Sequence, residues 1–134
     1  QEAQRVGTKL ARIGWIPQQV LSSDSRRTVE TIEHMQPALG EDLKVEWLAN
    51  LYQAGLPQIR AVLEQVTGEP GIVLLLGHNP GWEQALEWLC GRKIPLKTAY
   101  AALLESEAST WQDAVAQPNM WTLAHIITPD FTEE

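Results

Sequence analysis

Ile72-Val73-Leu74-Leu75-Leu76-Gly77-His78-Asn79-Pro80-Gly81 decides how this chain is read. The five apolar residues form an unbroken run that reads as a buried strand. From Trp82 to Cys90 the apolar positions recur at helical spacing, with Trp82, Leu86, Leu89 and Cys90 facing inward. A strand that ends in glycine, presents a histidine and then opens a helix sets an imidazole beside backbone N–H groups. The first helical turn leaves those groups without partners, so anions bind there and a histidine can act on them. Phosphate is the ligand this arrangement suggests.

Upstream, residues 2–14 read as an amphipathic helix with Ala3, Val6, Leu10 and Ile13 on one stripe, stopping near Gly14 with Pro17 shortly after. Ile16 to Leu21 supplies a short strand. Ser22-Ser23-Asp24-Ser25 is a cluster of capping residues, and a helix follows to about Met35, before Pro37. Leu43, Val45 and Trp47 alternate with charged residues as in a half-exposed strand. Pro57 opens a third helix with Ile59, Val62, Leu63 and Val66 on one face, and 68–71 is a turn. Beyond Gly91, two strands are expected at Ala99 to Leu104 and Met120 to Ile127. Strands alternating with helices predict parallel βαβ units, so the fold class is α/β, three layers around a mixed, mostly parallel sheet. The six tryptophans are expected in packing roles.

A length of 134 residues fits one domain with a real core, and 44% hydrophobic content with 20% charge is that of a globular protein. No apolar run approaches the ~20 residues needed to span a bilayer, so no membrane partner is expected. A net charge of −7 with scattered basic residues argues against a nucleic-acid surface. Cys90 is the single cysteine, which excludes an internal disulfide and suits a reducing, cytoplasmic setting. His34, His78 and His125 are far apart, without HxxxH or CxxC spacing; neither a metal nor another cofactor is expected.

Arg26 and Arg27 fall in the first turn of the second helix, where a cation is unfavourable by ~0.3–1 kcal/mol unless something compensates. Two arginines there are either solvated or used, and a guanidinium fork grips two phosphate oxygens at once. Arg27 follows one strand and His78 another. In open α/β sheets ligands collect beyond the carboxyl ends of the strands, so the two should meet at one point. A histidine after a strand is commonly a cap or a packed residue. Here the flanking Gly77, Asn79, Pro80 and Gly81 make a tight loop that a ligand can approach. Charged, His78 would donate to a phosphoryl oxygen; neutral, it would serve as base or nucleophile.

These residues carry a resemblance. Residues 21–31, Leu-Ser-Ser-Asp-Ser-Arg-Arg-Thr-Val-Glu-Thr, resemble the S-x-x-x-R-x-x-x-T segment of the histidine phosphatase superfamily. Residues 73–81 look like its second-histidine motif, and the Gly-His-Asn-Pro-Gly form with Leu51-Tyr52 upstream is most similar to the SixA-type phosphohistidine phosphatases. The resemblance implies a phosphoglycerate mutase-like fold and a two-step phosphoryl transfer. A histidine in an amino-terminal Arg-His-Gly or Arg-His-Ala motif would attack phosphorus, and water would then hydrolyse the phosphohistidine. Carried over by position, Arg27 and His78 are the catalytic residues and, with Asn79, the phosphate-binding ones; Ser23 and Thr31 match flanking positions with structural roles. No Arg-His-Gly or Arg-His-Ala occurs in the sequence. The family places that motif at the end of a strand ahead of the helix with which this chain opens. The first strand and the nucleophile loop are therefore expected to be absent from these 134 residues, which would not turn over by that route.

The expected substrate is phosphohistidine on a protein. Glu46 is the nearby candidate for a general acid, but its alternating strand fits a solvated face better, and an imidazole leaving group has less need of an acid than an alkoxide. Two alternatives remain: a small-molecule phosphomonoesterase of the same superfamily, and a non-catalytic phosphate-binding module. A nucleotide-binding domain has little support, since the sequence holds neither GxGxxG nor a P-loop.

Overall fold

The computed structural model describes residues 2–40, 43–52, 54–66, 71–79, 81–97 and 99–130. In chain order the elements are α1 (Glu2–Arg12), β1 (Gln19–Ser23), α2 (Arg26–Leu39), β2 (Val45–Leu48), a 3-10 turn (Ala49–Leu51), α3 (Leu56–Glu64), β3 (Val73–Leu76), α4 (Gly81–Cys90), β4 (Ala101–Glu105), α5 (Trp111–Ala114) and β5 (Thr122–Ile127). The order β2-β1-β3 is parallel throughout, with Ser22 opposite both Trp47 and Leu76. Strands β4 and β5 form a separate antiparallel ladder.

Alternation along β3 explains the layering. Val73 and Leu75 pack on a cluster built from Leu21, Leu51, Ile59, Leu63 and Ala85, which ties the sheet to α3 and α4. Leu74 turns to the other cluster, where Ala3, Val6 and Leu10 of α1 meet Met35 and Leu39 of α2 and Leu103 of β4. Successive side chains of a strand point to opposite faces, so an unbroken apolar run is what a sheet covered on both sides requires. All four β3 residues are nonetheless only half-buried, where full burial was expected. The cause is pairing: among the described residues β3 hydrogen-bonds to β1 alone, and Leu74 and Ala101 share a cluster with no ladder between β3 and β4.

Several expected boundaries move, among them the starts of β4 and β5, at Ala101 and Thr122 rather than Ala99 and Met120. The first strand begins at Gln19, not Ile16, because Pro17 has no N–H for a ladder, and Ile16 is exposed. It then runs to Ser23, so Ser22 and Ser23 are strand residues, fully buried, and Ser25 alone caps α2. Helix α2 continues through Pro37 to Leu39. An interior proline costs ~3 kcal/mol, but burying Leu39 is worth ~1.5–3 kcal/mol and the Gly40 N–H still bonds to Gln36 O. In the outer strand β2, Val45 and Leu48 are the half-buried positions and Trp47 is exposed, contrary to simple alternation. Ile13 lies past the end of α1 and is likewise exposed. The turn expected at 68–71 falls mostly outside the described residues.

Candidate phosphoryl site

Parallel neighbours end at the same side of a sheet. With Ser22 abreast of Leu76, the residues that follow β1 and β3 emerge together. There they line a cavity of about 340 Å³ bounded by Ser25, Arg27, Tyr52, His78 and Asn79. Arg27 and His78, expected to converge, do so.

The two arginines separate cleanly. Arg26 Nε donates to Glu30 Oε1 at 2.9 Å, one helical turn on, in a solvent-exposed pair. Arg27 is exposed, lines the cavity and has no carboxylate partner among the described residues. Ser25 caps the helix that carries both, accepting the Thr28 N–H on Oγ at 3.4 Å. Thr28 is buried and its hydroxyl donates to Ser23 O at 2.6 Å, which sews the strand end to the first turn.

His78 is half-buried, and its Nε2 lies 3.2 Å from Ser23 Oγ and 3.3 Å from Ser25 Oγ. Tyr52 stands edge-on to it, ring centres 5.3 Å apart at 77°. Tyr52 is 55% exposed and lines the cavity. What brings the tyrosine there is the start of α4: Gly81 is buried directly against the Ala54 carbonyl, so the segment carrying Tyr52 lies across the His78 loop.

Asn79 lines the cavity while holding the loop shut. Its Oδ1 accepts the Glu83 N–H at 3.2 Å, and its Nδ2 donates to Leu96 O at 2.7 Å. Glu83 answers by accepting the Leu96 N–H at 2.6 Å. Pro80 lies outside the described residues. Glu46 is exposed on β2 and does not line the cavity.

Ser25 and Tyr52 were not anticipated at the site: Ser25 read as a cap and Tyr52 only as part of a resemblance. Ser23 was given a structural role and in fact touches the imidazole. Hydroxyls next to a strand end were the available signal, but which histidine they would meet depends on β1 lying beside β3. Among the described residues, no three His, Cys, Asp or Glu side chains converge as metal ligands, and no helix is long and apolar enough to cross a membrane.

No family model matches the sequence. Over 140 aligned residues the chain is 34% identical to an uncharacterized chloroplastic protein of Arabidopsis thaliana, across 96% of this chain and 64% of that protein. The chain thus spans a little under two thirds of that relative's length. Three solved structures share its architecture. The protein assigned as phosphohistidine phosphatase SixA from Nakamurella multipartitia superposes with a TM-score of 0.78 at 19% identity, covering 95% of this chain and 80% of that one. The Agrobacterium tumefaciens protein of the same assignment gives 0.79 at 23% identity, over 96% and 78%. A protein histidine phosphatase SixA solved with tungstate gives 0.78 at 21%, over 95% and 78%. The chain carries the phosphoglycerate mutase-like α/β fold of the SixA phosphohistidine phosphatases.

Proposed function

We propose that these residues form the phosphoryl-gripping part of a histidine phosphatase acting on phosphohistidine in a protein. The observation that carries this reading is the convergence of Arg27 and His78, from sequence-distant strand ends, on one cavity. Arg27 would bind two phosphoryl oxygens through its fork. His78, when charged, would donate to a third and stabilise charge developing in the transition state. Asn79 keeps one amide hydrogen for the ligand after its bond to Leu96 O. The likeness in fold to a SixA protein solved with tungstate, a tetrahedral oxyanion, is consistent with such a site.

In this scheme an attacking histidine forms a new P–N bond as the bond to the substrate imidazole breaks, and the released ring takes up a proton. Water then attacks phosphorus, the second P–N bond breaks, and phosphate leaves with the histidine restored. The sequence has no Arg-His pair, so the attacking histidine and a second arginine would come from outside these 134 residues. The second reading is a phosphate-binding module without chemistry of its own, for which the cavity alone would suffice. Cytoplasmic residence rests on the single cysteine alone, and the Arabidopsis relative is named as chloroplastic.

Tungstate titration of the wild-type chain and of Arg27→Ala tests the cavity. Loss of charge-assisted bonds worth at least ~1.5 kcal/mol predicts about tenfold weaker binding in the variant. Equal affinity would remove Arg27 from the site. Phosphohistidine hydrolysis by a longer polypeptide bearing an upstream Arg-His pair, compared with sugar phosphates, tests the substrate; preference for the sugars would select the small-molecule alternative.

A further inference from the structure

We propose that Ser25 is a positioning residue that fixes the tautomer of His78, holding the neutral ring's proton on Nε2 and leaving Nδ1 as the nitrogen that meets the ligand. The assignment follows from counting hydroxyl protons. Thr28 Oγ1 lies 2.6 Å from Ser23 O and 2.9 Å from Ser25 O, and carbonyl oxygens only accept. The one hydroxyl proton of Thr28 is therefore spent on backbone. Ser25 Oγ has one proton and lies 3.0 Å from Thr28 Oγ1 and 3.3 Å from His78 Nε2; the nearer contact takes it, so Ser25 donates to Thr28. It also accepts the Thr28 N–H. With its own proton given away, Ser25 Oγ has only a lone pair to offer His78 Nε2 at 3.3 Å.

A bare Nε2 would set lone pair against lone pair. An Nε2–H is instead shared between Ser25 and Ser23, whose buried Oγ is 3.2 Å away. Ser23 does not decide the matter, because its hydroxyl proton is free to turn toward an unprotonated Nε2. Ser25 decides it, through Thr28. No other bond to the His78 ring nitrogens occurs among the described residues, which leaves Nδ1 for the cavity's occupant. On protonation Nδ1–H becomes the donor to an oxyanion while the Nε2–H stays where the serines hold it.

This deepens the phosphoryl-site reading, and only its functional consequence rests on that reading. Long-range proton–nitrogen correlation spectra of the nitrogen-15-labelled chain report the tautomer directly, with His78→Gln identifying the His78 signals among the three histidines. The wild type is expected as the Nε2–H form, with Nδ1 at the unprotonated shift. Ser25→Ala and Ser25→Gly should move His78 toward the Nδ1–H form, and Ser25→Thr should restore the wild-type pattern. Glycine is nearly as good a cap as serine, which guards against a mere folding defect. An Nδ1–H wild type, or a tautomer unmoved in both the alanine and glycine variants, overturns the proposal. If the tautomer behaves as stated but tungstate shifts no His78 resonance, the tautomer stands and the oxyanion reading falls.

Discussion

Gly81→Ala puts the geometry of the site to a test of stability. A Cβ added at Gly81 would overlap the Ala54 carbonyl oxygen and sit 3.0 Å from its carbonyl carbon, against ~3.5–4.0 Å for a relaxed carbon contact. Both partners are backbone, so no side chain can swing aside. The start of α4 and the segment before α3 would have to part, which overpacked cores do at ~1–3 kcal/mol, occasionally more. Against this, alanine gains up to ~1 kcal/mol over glycine inside a helix. With an overlap this severe the upper end applies, and the net is a loss of ~2 kcal/mol. For a domain of this length that lowers the Tm by roughly 6–10 °C. Circular-dichroism melts of wild type and variant measure it, and tungstate affinity should fall as well, since the displaced segment carries Tyr52. Gly14→Ala is the control: it has positive φ, +83°, and no atom within 4 Å. It should cost ~1–2 kcal/mol of backbone strain and leave tungstate binding alone. A Gly81→Ala melt at or above wild type, as helix propensity by itself would give, refutes the close approach of α4 to Ala54.

Arg26→Ala should change tungstate affinity by less than about twofold and stability by ~0.5 kcal/mol or less, because its exposed i,i+4 pair is weak; a loss equal to that of Arg27→Ala would mean the two arginines are misassigned. Leu51→Ala removes a fully buried leucine from the cluster beneath Tyr52 and should lower urea-unfolding stability by ~2–5 kcal/mol, a value under 1 kcal/mol contradicting that placement. Tyr52→Ala should leave stability within ~0.5 kcal/mol, the ring being more exposed than buried. It should weaken binding of phosphohistidine peptides more than binding of tungstate, through loss of an aromatic wall worth ~0.5–1.5 kcal/mol; equal effects on both ligands would deny Tyr52 a part in reading the leaving ring.

His78 and Arg27 were legible because each sits at a local junction of strand and helix, where composition marks the break: glycine and proline after one strand, serines after the other. Ile59, Val62 and Leu63 were legible for the same kind of reason, since a helix's buried stripe is written within one turn of spacing; Val66 is buried too, but past the end of α3. What failed was non-local. The helix through Pro37 persists because Leu39 finds a hydrophobic seat against α1, a fact that lies in another segment. The half-burial of β3 follows from its neighbours across the sheet, and strand order is not encoded in the strand itself. Ser25 illustrates both sides. Its capping role is local and was read correctly; its contact with an imidazole more than fifty residues away needed the register of β1 on β3.

The composition of the cavity wall bears on which bond such a site would break. Its lining is two hydroxyl side chains, a guanidinium, an imidazole and an amide, with no carboxyl group among the described residues. Of the acidic residues around it, Glu83 holds the Leu96 N–H, Glu30 holds Arg26, Glu46 stands in solvent, and Asp24, between Ser23 and Ser25, is exposed and does not line the cavity. An alkoxide leaving a phosphate ester is a strong base and calls for a positioned acid. An imidazole leaving a phosphoramidate departs neutral once its other nitrogen carries a proton, and calls for little beyond a grip on the phosphoryl oxygens. In the proposed site, Arg27 and a His78 held by two serines would offer that grip, beside the exposed Tyr52. On the proposed reading, that difference in leaving group is why we infer a nitrogen-linked phosphate rather than an ester as the substrate.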